Sequence, residues 1–410
     1  MLLRIELENF FSIKEKISLD FRAGNANSSV ARDLAYNVMD WKGQKVLKSI
    51  GLFGPNASGK SNIVKAINFC CRMIFESHNH NENTIFDFQP FKFDGWDKKP
   101  SRFLVNFVCE DIEYEYSFVL NSKQIIEESL YYYPNNRRAK IFTRKGDEYS
   151  FSSGVIPRPN DVVINTSKKN LFVSRASSMN REIPQKIFRY FFETFLLGIV
   201  PLDDKNIKEL FVQNKDLVLN ALQVCDTDIT DIEITTEKMP VPIQVHNDQM
   251  IELVFQERDV VRFRTYHKHS PVTGFSMETE ESNGTRQLFV LLLRLLDVVK
   301  NRKSLMLDEF DRSLHTRLAD FILDLIHASS RSQFLFTSHN TNLIDTKRLR
   351  KDQIVFVNKK DDGSTDVYSL YDFKDFRDTM DAEKGYLQGR FDAVPFVSSS
   401  VAGLKKLLEE

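Results

Sequence analysis

Gly54-Pro55-Asn56-Ala57-Ser58-Gly59-Lys60-Ser61 is a G-x-x-x-x-G-K-S run. It lies between an apolar stretch (Leu47, Ile50, Leu52, Phe53) and a segment with helical spacing (Asn62, Ile63, Val64, Ala66, Ile67). The chemistry open to such a run is phosphate capture. Glycine at 54 and 59 tolerates the φ/ψ and the close approach that let backbone N–H groups wrap a β-phosphate, and the following helix turns its positive end on the same anion. Asn56, Ala57, Ser58, Gly59, Lys60, Ser61 and Asn62 are therefore expected to hold the phosphates of ATP. Lys60 would reach the β- and γ-phosphates, and the Ser61 hydroxyl would join a partly hydrated Mg²⁺.

A second set of residues could complete phosphoryl transfer to water. Leu305-Met306-Leu307-Asp308-Glu309 reads as a buried strand ending in two acids, where Asp308 would hold Mg²⁺ through water and Glu309 would orient or deprotonate the attacking water. A strand-end acid pair is also a common solvated feature, so the pattern counts through its company. Upstream, Glu281-Ser282-Asn283-Gly284-Thr285-Arg286-Gln287 precedes an apolar helix from Leu288 to Val299. Ser282 with Gly284 could make a second anion cradle at that helix start. The plainer alternative is a helix N-capped by Ser282 or Thr285. Downstream, Asp311-Arg312-Ser313-Leu314-His315 leads into a helix, and Phe334-Leu335-Phe336-Thr337-Ser338-His339-Asn340 is a strand ending in a histidine of either structural or catalytic use.

Bulk properties narrow the setting. A chain of 410 residues is long for one core, so two or three lobes are expected. Lys plus Arg number 56 against 57 Asp plus Glu, a net charge of −1, so no whole-molecule field draws the protein onto nucleic acid or an anionic membrane. Cys70, Cys71, Cys109 and Cys225 form no metal-type pairs, and the adjacent Cys70 and Cys71 read as buried thiols of a reducing cytosol. No apolar stretch reaches membrane-spanning length and Met1-Leu2-Leu3-Arg4 has no signal-peptide layout, which points to a soluble, cytoplasmic protein.

The elements that must position these residues follow in order. Leu2–Leu7 and Ile17–Phe21 read as a strand pair turning at Asn9-Phe10-Phe11-Ser12-Ile13, and 24–43 reads as a polar surface loop. His78 and His80 could chelate a metal but lack a third ligand, so a solvated connector is the expectation. Phe86–Tyr149 alternates as short strands of an antiparallel meander, and Arg181–Val224 turns helical with an aromatic stripe at Phe188, Tyr190, Phe191, Phe192 and Phe195 that reads as core. Four strands are expected at Ile232–Ile234, Val241–Val245, Ile251–Phe255 and Val261–Tyr266. After His339 come a strand at Gln353–Asn358, a charged turn at Asp361-Asp362-Gly363 and a strand at Val367–Leu370.

The order P-loop, Ser-x-Gly helix start, apolar strand with Asp-Glu, Ser-Leu-His turn and strand with Ser-His resembles that of ATP-binding-cassette ATPases. Within that class the chain is similar to the SMC, RecF and OLD branch, through Asn9-Phe10, Gly54–Asn62, a signature at Ser282–Arg286, a Walker B at Leu305–Glu309, a D-loop at Asp311–His315 and a switch histidine at His339. It also resembles the stand-alone AAA-family ATPases of abortive-infection and antiphage modules in Pro90-Phe91-Lys92-Phe93-Asp94, Pro100–Phe103, Leu171–Arg175 and Tyr386–Phe391 to Pro395. The signature departs from that class in reading Glu-Ser-Asn-Gly, a position where Asn283 can still take the left-handed conformation. No segment matches the Q-loop clearly, and Gln89 stands in for it as a metal-shell residue. No coiled-coil arm is present.

The resemblance implies a split α/β cassette, a mixed sheet flanked by helices. Residues 1–80 and 270–345 would be its halves, 81–180 an inserted β-rich subdomain, 181–269 a helical and strand insertion lobe, and 346–410 a C-terminal tail. It implies a head-to-tail homodimer or higher homo-oligomer with ATP at the interface, Ser282 and Gly284 acting on the other subunit's nucleotide, and Glu309 with His339 and Lys60 as catalytic groups. A TOPRIM-type nuclease domain does not fit after His339. The reading is thus a slow ATPase that senses and controls a separate effector, such as a TOPRIM-like nuclease, in antiphage defence. The alternative is a RecF-like DNA-repair or maintenance ATPase, kept open by the basic clusters Arg137, Arg138, Lys140, Arg144, Lys145 and Lys347, Arg348, Arg350, Lys351.

Overall fold

The computed structural model describes residues 1–25, 29–198, 205–224, 228–247, 250–312, 316–377 and 380–394. Cys225, the Ser313-Leu314-His315 turn and Pro395 lie outside them. The chain divides into two compact units: 1–196 with 304–310 and 333–410, and 197–303 with 311–332.

In chain order the strands of the first unit begin with β1 (Leu2–Glu8), β2 (Ile17–Asp20), the hairpin β3 (Val38–Trp41) and β4 (Gln44–Leu47), and the P-loop strand β5 (Ser49–Phe53). A meander follows as β6 (Ser101–Cys109), β7 (Ile112–Leu120), β8 (Ile125–Tyr132), β9 (Ala139–Lys145) and β10 (Glu148–Phe151), then the short β11 (Phe195–Leu197). The second unit holds β12 (Ile229–Asn247), β13 (Met250–His267) and β14 (Ser270–Ser276); the chain then supplies β15 (Ser304–Leu307), β16 (Gln333–Ser338), β17 (Ile354–Lys359) and β18 (Thr365–Ser369) to the first.

Two sheets build the first unit. One is antiparallel, in the order β10-β9-β8-β7-β6-β1-β2, so the meander continues the sheet opened by the N-terminal pair. The other runs β11-β15-β16-β5-β17-β18, with β15, β16, β5 and β17 parallel and β18 antiparallel at the edge. Every residue of β5, β15 and β16 is buried, which is why these strands read as continuous apolar runs rather than alternating ones. The P-loop helix (Lys60–Glu76) buries ten of its side chains; Phe69 packs its ring 4.7 Å from Phe10 and 5.5 Å from Phe103.

A buried glutamine stitches the two sheets together. Gln333 accepts from the Leu2 N–H (2.5 Å) and donates to the carbonyls of Leu2 (2.8 Å) and Leu47 (3.2 Å). Asn9, fully buried, plays the same part at the first turn: its Nδ2 donates to the carbonyls of Trp96 and Lys99, and its Oδ1 accepts from the Phe91 N–H.

Several segments differ from the sequence reading. Residues 24–43 are not all loop: Leu34 is buried, and the hairpin of β3 and β4 carries the buried Met39 and Trp41. The strands expected between Ile232 and Tyr266 are two long ones in one hairpin; the exposed Glu237, Lys238 and Pro240 interrupt the hydrophobic pattern without interrupting the pairing. The strands expected at Gln353–Asn358 and Val367–Leu370 do form, as β17 and β18, and what the sequence did not show is that β17 pairs with the P-loop strand. The aromatic stripe is mostly core, Tyr190 and Phe191 packing on Phe107 while Phe192 is exposed. No described helix is long and apolar enough to cross a membrane.

In the second unit the three-stranded sheet packs with helices Lys205–Val224 and Asn283–Lys300 around Phe211, Val218, Leu222, Phe263, Met277, Phe289 and Leu292. The Phe263 ring meets Phe211 at 5.6 Å and Phe289 at 5.0 Å.

Replacing Gln333 by leucine strands the buried Leu2 N–H and two carbonyls, so the first unit should lose about 2–4 kcal/mol. Both tryptophans, Trp41 and Trp96, lie in that unit and report it. Urea unfolding followed by their fluorescence should show a clearly lower midpoint for Q333L, and an unchanged midpoint would contradict the stitch.

Candidate nucleotide site

The P-loop opens into a cleft of about 860 Å³ lined by Ser12, Asn56–Asn62, Gln89, Phe91, Phe93, Glu309, His339, Lys359 and Gly363, among others. That is within the size range of small-molecule sites. Another hollow, of about 650 Å³ on the seven-stranded sheet, shares no lining residue with it and has no anion-binding loop.

The shape of the P-loop comes from what presses on it. A Cβ at Gly54 would sit 2.1 Å from the Val357 carbonyl oxygen, and one at Gly59 would sit 2.0 Å from Thr365 Oγ1 and 2.9 Å from Ser12 Oγ. Gly59 also holds φ at 113°, and Ala57 shares the left-handed region at 61°. The hydroxyls of Ser12 and Thr365 are 2.7 Å apart, Asn62 Nδ2 donates to Ser12 (2.8 Å) and Thr365 Oγ1 donates to the Ser58 carbonyl (3.0 Å). Asn62, expected to touch nucleotide, thus lines the cleft while its amide holds this brace. Sequence reading missed Ser12 and Thr365 because single hydroxyls on a turn and an edge strand carry no spacing signal.

The helix that follows has Gly59 as its N-cap, a residue with no side chain to close the first N–H groups. Those donors are the natural seat of a phosphate. Ser58 adds a buried Oγ that has no hydrogen-bond partner among the described residues. Lys60 folds back, donating to the carbonyls of Gly54 (2.7 Å) and Pro55 (3.0 Å). Burial outweighs the pull of Asp308 and Glu309 and brings its pKa down to about 8.

The acids stand at the end of β15, one strand removed from β5. Thr337, fully buried on β16, couples them: its hydroxyl donates to Asp308 Oδ1 (2.6 Å) and accepts from the Glu309 N–H (2.7 Å). Glu309 takes φ of 47°, a conformation seldom used by a non-glycine residue and concentrated at functional sites. Its Oε1 lies 3.9 Å from His339 Nε2. Gln89 also lines the cleft, its carbonyl fixed by the Phe11 N–H (2.5 Å). Ser61, Asp308 and Gln89 offer only oxygen donors, the type a hard Mg²⁺ takes. The protein groups therefore fit both the triphosphate and the cation.

The cleft brings together Asn56–Asn62, Gln89, Glu309 and His339, with Asp308 beside them; Ser282 and Gly284 belong to the second unit. There Ser282 is the N-cap of helix Asn283–Lys300, its Oγ accepting from the Thr285 N–H at 3.1 Å. Asn283 opens the helix instead of turning left-handed, because Ser282 already supplies the cap and Arg286 donates to the Asn283 side chain. The other ligand-like residues are spoken for. His78 Nδ1 meets Ser174 Oγ and His80 Nδ1 meets the Lys169 carbonyl, each at 3.3 Å. Asp362 accepts from Lys14 at 2.7 Å and from Ser364.

Two outcomes follow from this geometry. Gly59→Ala should weaken binding of a fluorescent ATP analogue at least about tenfold, or about 1.4 kcal/mol, and unaltered binding would show that the close approach is unimportant. The protonated Lys60 is the form that pairs with phosphate, and its resting pKa lies near 8. Above that pH, binding must draw up to about one proton, and affinity should fall with further rise in pH. Calorimetry in buffers of different ionisation heat should detect this uptake at pH 8–9 and lose it in Lys60→Met.

No curated protein matches the sequence. Among solved structures the chain is similar to an SMC head bound to the C-terminal winged-helix domain of ScpA (15% identity, TM-score 0.40, 90% of this chain and 97% of that one). It is similar also to the SMC head domain from Thermotoga maritima (15%, 0.39, 90% and 98%). A third is the SMC head with an extended coiled coil bound to the C-terminal domain of ScpA derived from Pyrococcus furiosus (13%, 0.42, 90% and 96%). The profile of the family described as "AAA domain, putative AbiEii toxin, Type IV TA system" matches residues 49–345, from the P-loop strand to beyond His339, and the chain belongs to that family.

Proposed function

We propose that this protein is a slow ATPase whose nucleotide-bound homodimer controls a separate effector in bacterial antiphage defence. The observation that carries the enzymatic part is the single cleft lined by the P-loop, Glu309 and His339. Ser61, Asp308 and Gln89 would hold Mg²⁺, which would supply neutralisation of charge on the phosphates of bound ATP. Lys60 leaves the carbonyls of Gly54 and Pro55 for the β- and γ-oxygens. Glu309, aimed by its own backbone bond to Thr337, orients the attacking water and takes its proton, and His339 steadies the Glu309 carboxylate. Ser282 and the backbone of Gly284 meet the γ-phosphate held by a second copy, so that hydrolysis releases the dimer. The family description, with its reference to a toxin–antitoxin system, supports the defence role, and a nuclease is the effector class proposed.

The competing reading, a DNA-repair ATPase, draws little support from the basic clusters. Arg144 is buried and donates to the carbonyls of Gly146 and Asn170, Arg138 pairs with Glu115, and Arg350 holds Asp352. These cations serve the fold and offer little to phosphates.

Glu309→Gln should keep ATP affinity, cut turnover at least about a hundredfold and trap a dimer seen by light scattering. Unchanged turnover would remove Glu309 from the mechanism. Ser282→Arg should still bind ATP as a monomer yet fail to dimerise. Strong stimulation of turnover by DNA with a steep salt dependence would favour the repair reading instead.

A further inference from the structure

β13 of the second unit ends at His267, whose two ring nitrogens each face a carboxylate. Nδ1 is 2.7 Å from Asp228 Oδ1, at the approach to β12, and Nε2 is 2.8 Å from Glu281 Oε1. Carboxylate oxygens only accept, and a neutral imidazole has one N–H to give. Both short contacts together therefore require the imidazolium.

The surroundings support this state. The Phe275 ring of β14 stands edge-on to the imidazole at 5.1 Å and brings no charge. Lys268 and His269 follow in the turn after β13, and His269 acts on Asp228. Burial works against the charge on His267, but its bonds to Asp228 and Glu281 outweigh it and raise its pKa above 6.5. Glu281 itself is almost buried, with 8% of its side chain exposed, and the hydroxyl of the buried Thr265 also donates to it. Without the imidazolium that carboxylate would have to move toward another partner, because a buried charge needs one. Glu281 immediately precedes Ser282, the cap of the signature helix.

We propose that His267 is a positioning residue for the signature loop: as an imidazolium bridging Asp228 and Glu281, it sets the backbone entry into Ser282 and so governs how well that loop meets the triphosphate on a second copy of the chain. This rests on the reading that Ser282 acts across the dimer. Because the bound state raises the pKa of His267, the latch is fully formed below pH 6.5 and is lost as pH rises through the raised value.

The test uses the full chain carrying Glu309→Gln, so that dimers form without turnover. ATP-driven dimerisation, read by sedimentation between pH 5.5 and 7.5, should weaken by about tenfold as pH rises, while binding of a fluorescent ATP analogue changes little over that range. His267→Gln should hold the weak-dimer level at every pH in the window and leave nucleotide binding unchanged. Nitrogen-15 spectra of the histidine rings in nucleotide-free protein should show the ring nitrogens of His267 protonated at pH 6.5. A neutral ring at that pH, or a His267→Gln variant that keeps the pH profile, overturns the latch while Ser282→Arg still blocks dimerisation. Should Ser282→Arg dimerise normally, the action across the dimer fails first and the latch falls with it.

Discussion

The site depends on a contact too close for any side chain. β17 and β18 press on the P-loop, the Val357 carbonyl against Gly54 and the Thr365 hydroxyl against Gly59, and only glycine fits there. These strands are held in turn by aromatic packing, Phe356 lying 5.7 Å from Tyr386 and 5.0 Å from Phe391. The proposed capture of nucleotide by residues 54–61 thus rests on a segment three hundred residues downstream. The Ser12, Thr365 and Asn62 side chains complete the brace from three parts of the chain. With the loop shape fixed by its neighbours, little reorganisation is left for the anion to bring about, and that is what preorganisation for phosphoryl transfer requires.

A similar economy governs the acids. One buried hydroxyl, on Thr337, donates to Asp308 and accepts from the backbone of Glu309, so two residues with different proposed tasks share a single fixed point. The left-handed φ of Glu309 departs from the strand direction right after Asp308. In the resting cleft burial lowers the hold of Lys60 on its proton although two carbonyls accept from it, and this leaves the site waiting for negative charge.

Much of this was legible in the residues because its signals are local. The glycine-rich run, the acid pair after an apolar strand and His339 at a strand end are each contiguous, and the cleft is lined by residues 56–62, Glu309 and His339. What escaped depends on tertiary approach. Nothing in the spacing of Ser12 or Thr365 shows that they meet, and the amide bonds of Asn9 and Gln333 reach partners remote in sequence. Polar Glu237 to Pro240 hid the continuity of two long strands, while the polar surface of 24–43 hid a hairpin with buried Trp41. At Ser282 both sequence alternatives rested on a helix start; the cap is what the side chain does within its own unit, and the anion cradle is the role proposed for it toward a second copy.

The most direct measurement is a cryo-EM structure of the Glu309→Gln protein with ATP and Mg²⁺. The account predicts two copies with each triphosphate wrapped by residues 54–61 of one subunit and Ser282 of the other within hydrogen-bonding distance of the γ-phosphate. A triphosphate bound outside the P-loop, or one whose γ-phosphate is remote from Ser282 of every neighbouring copy, would contradict it.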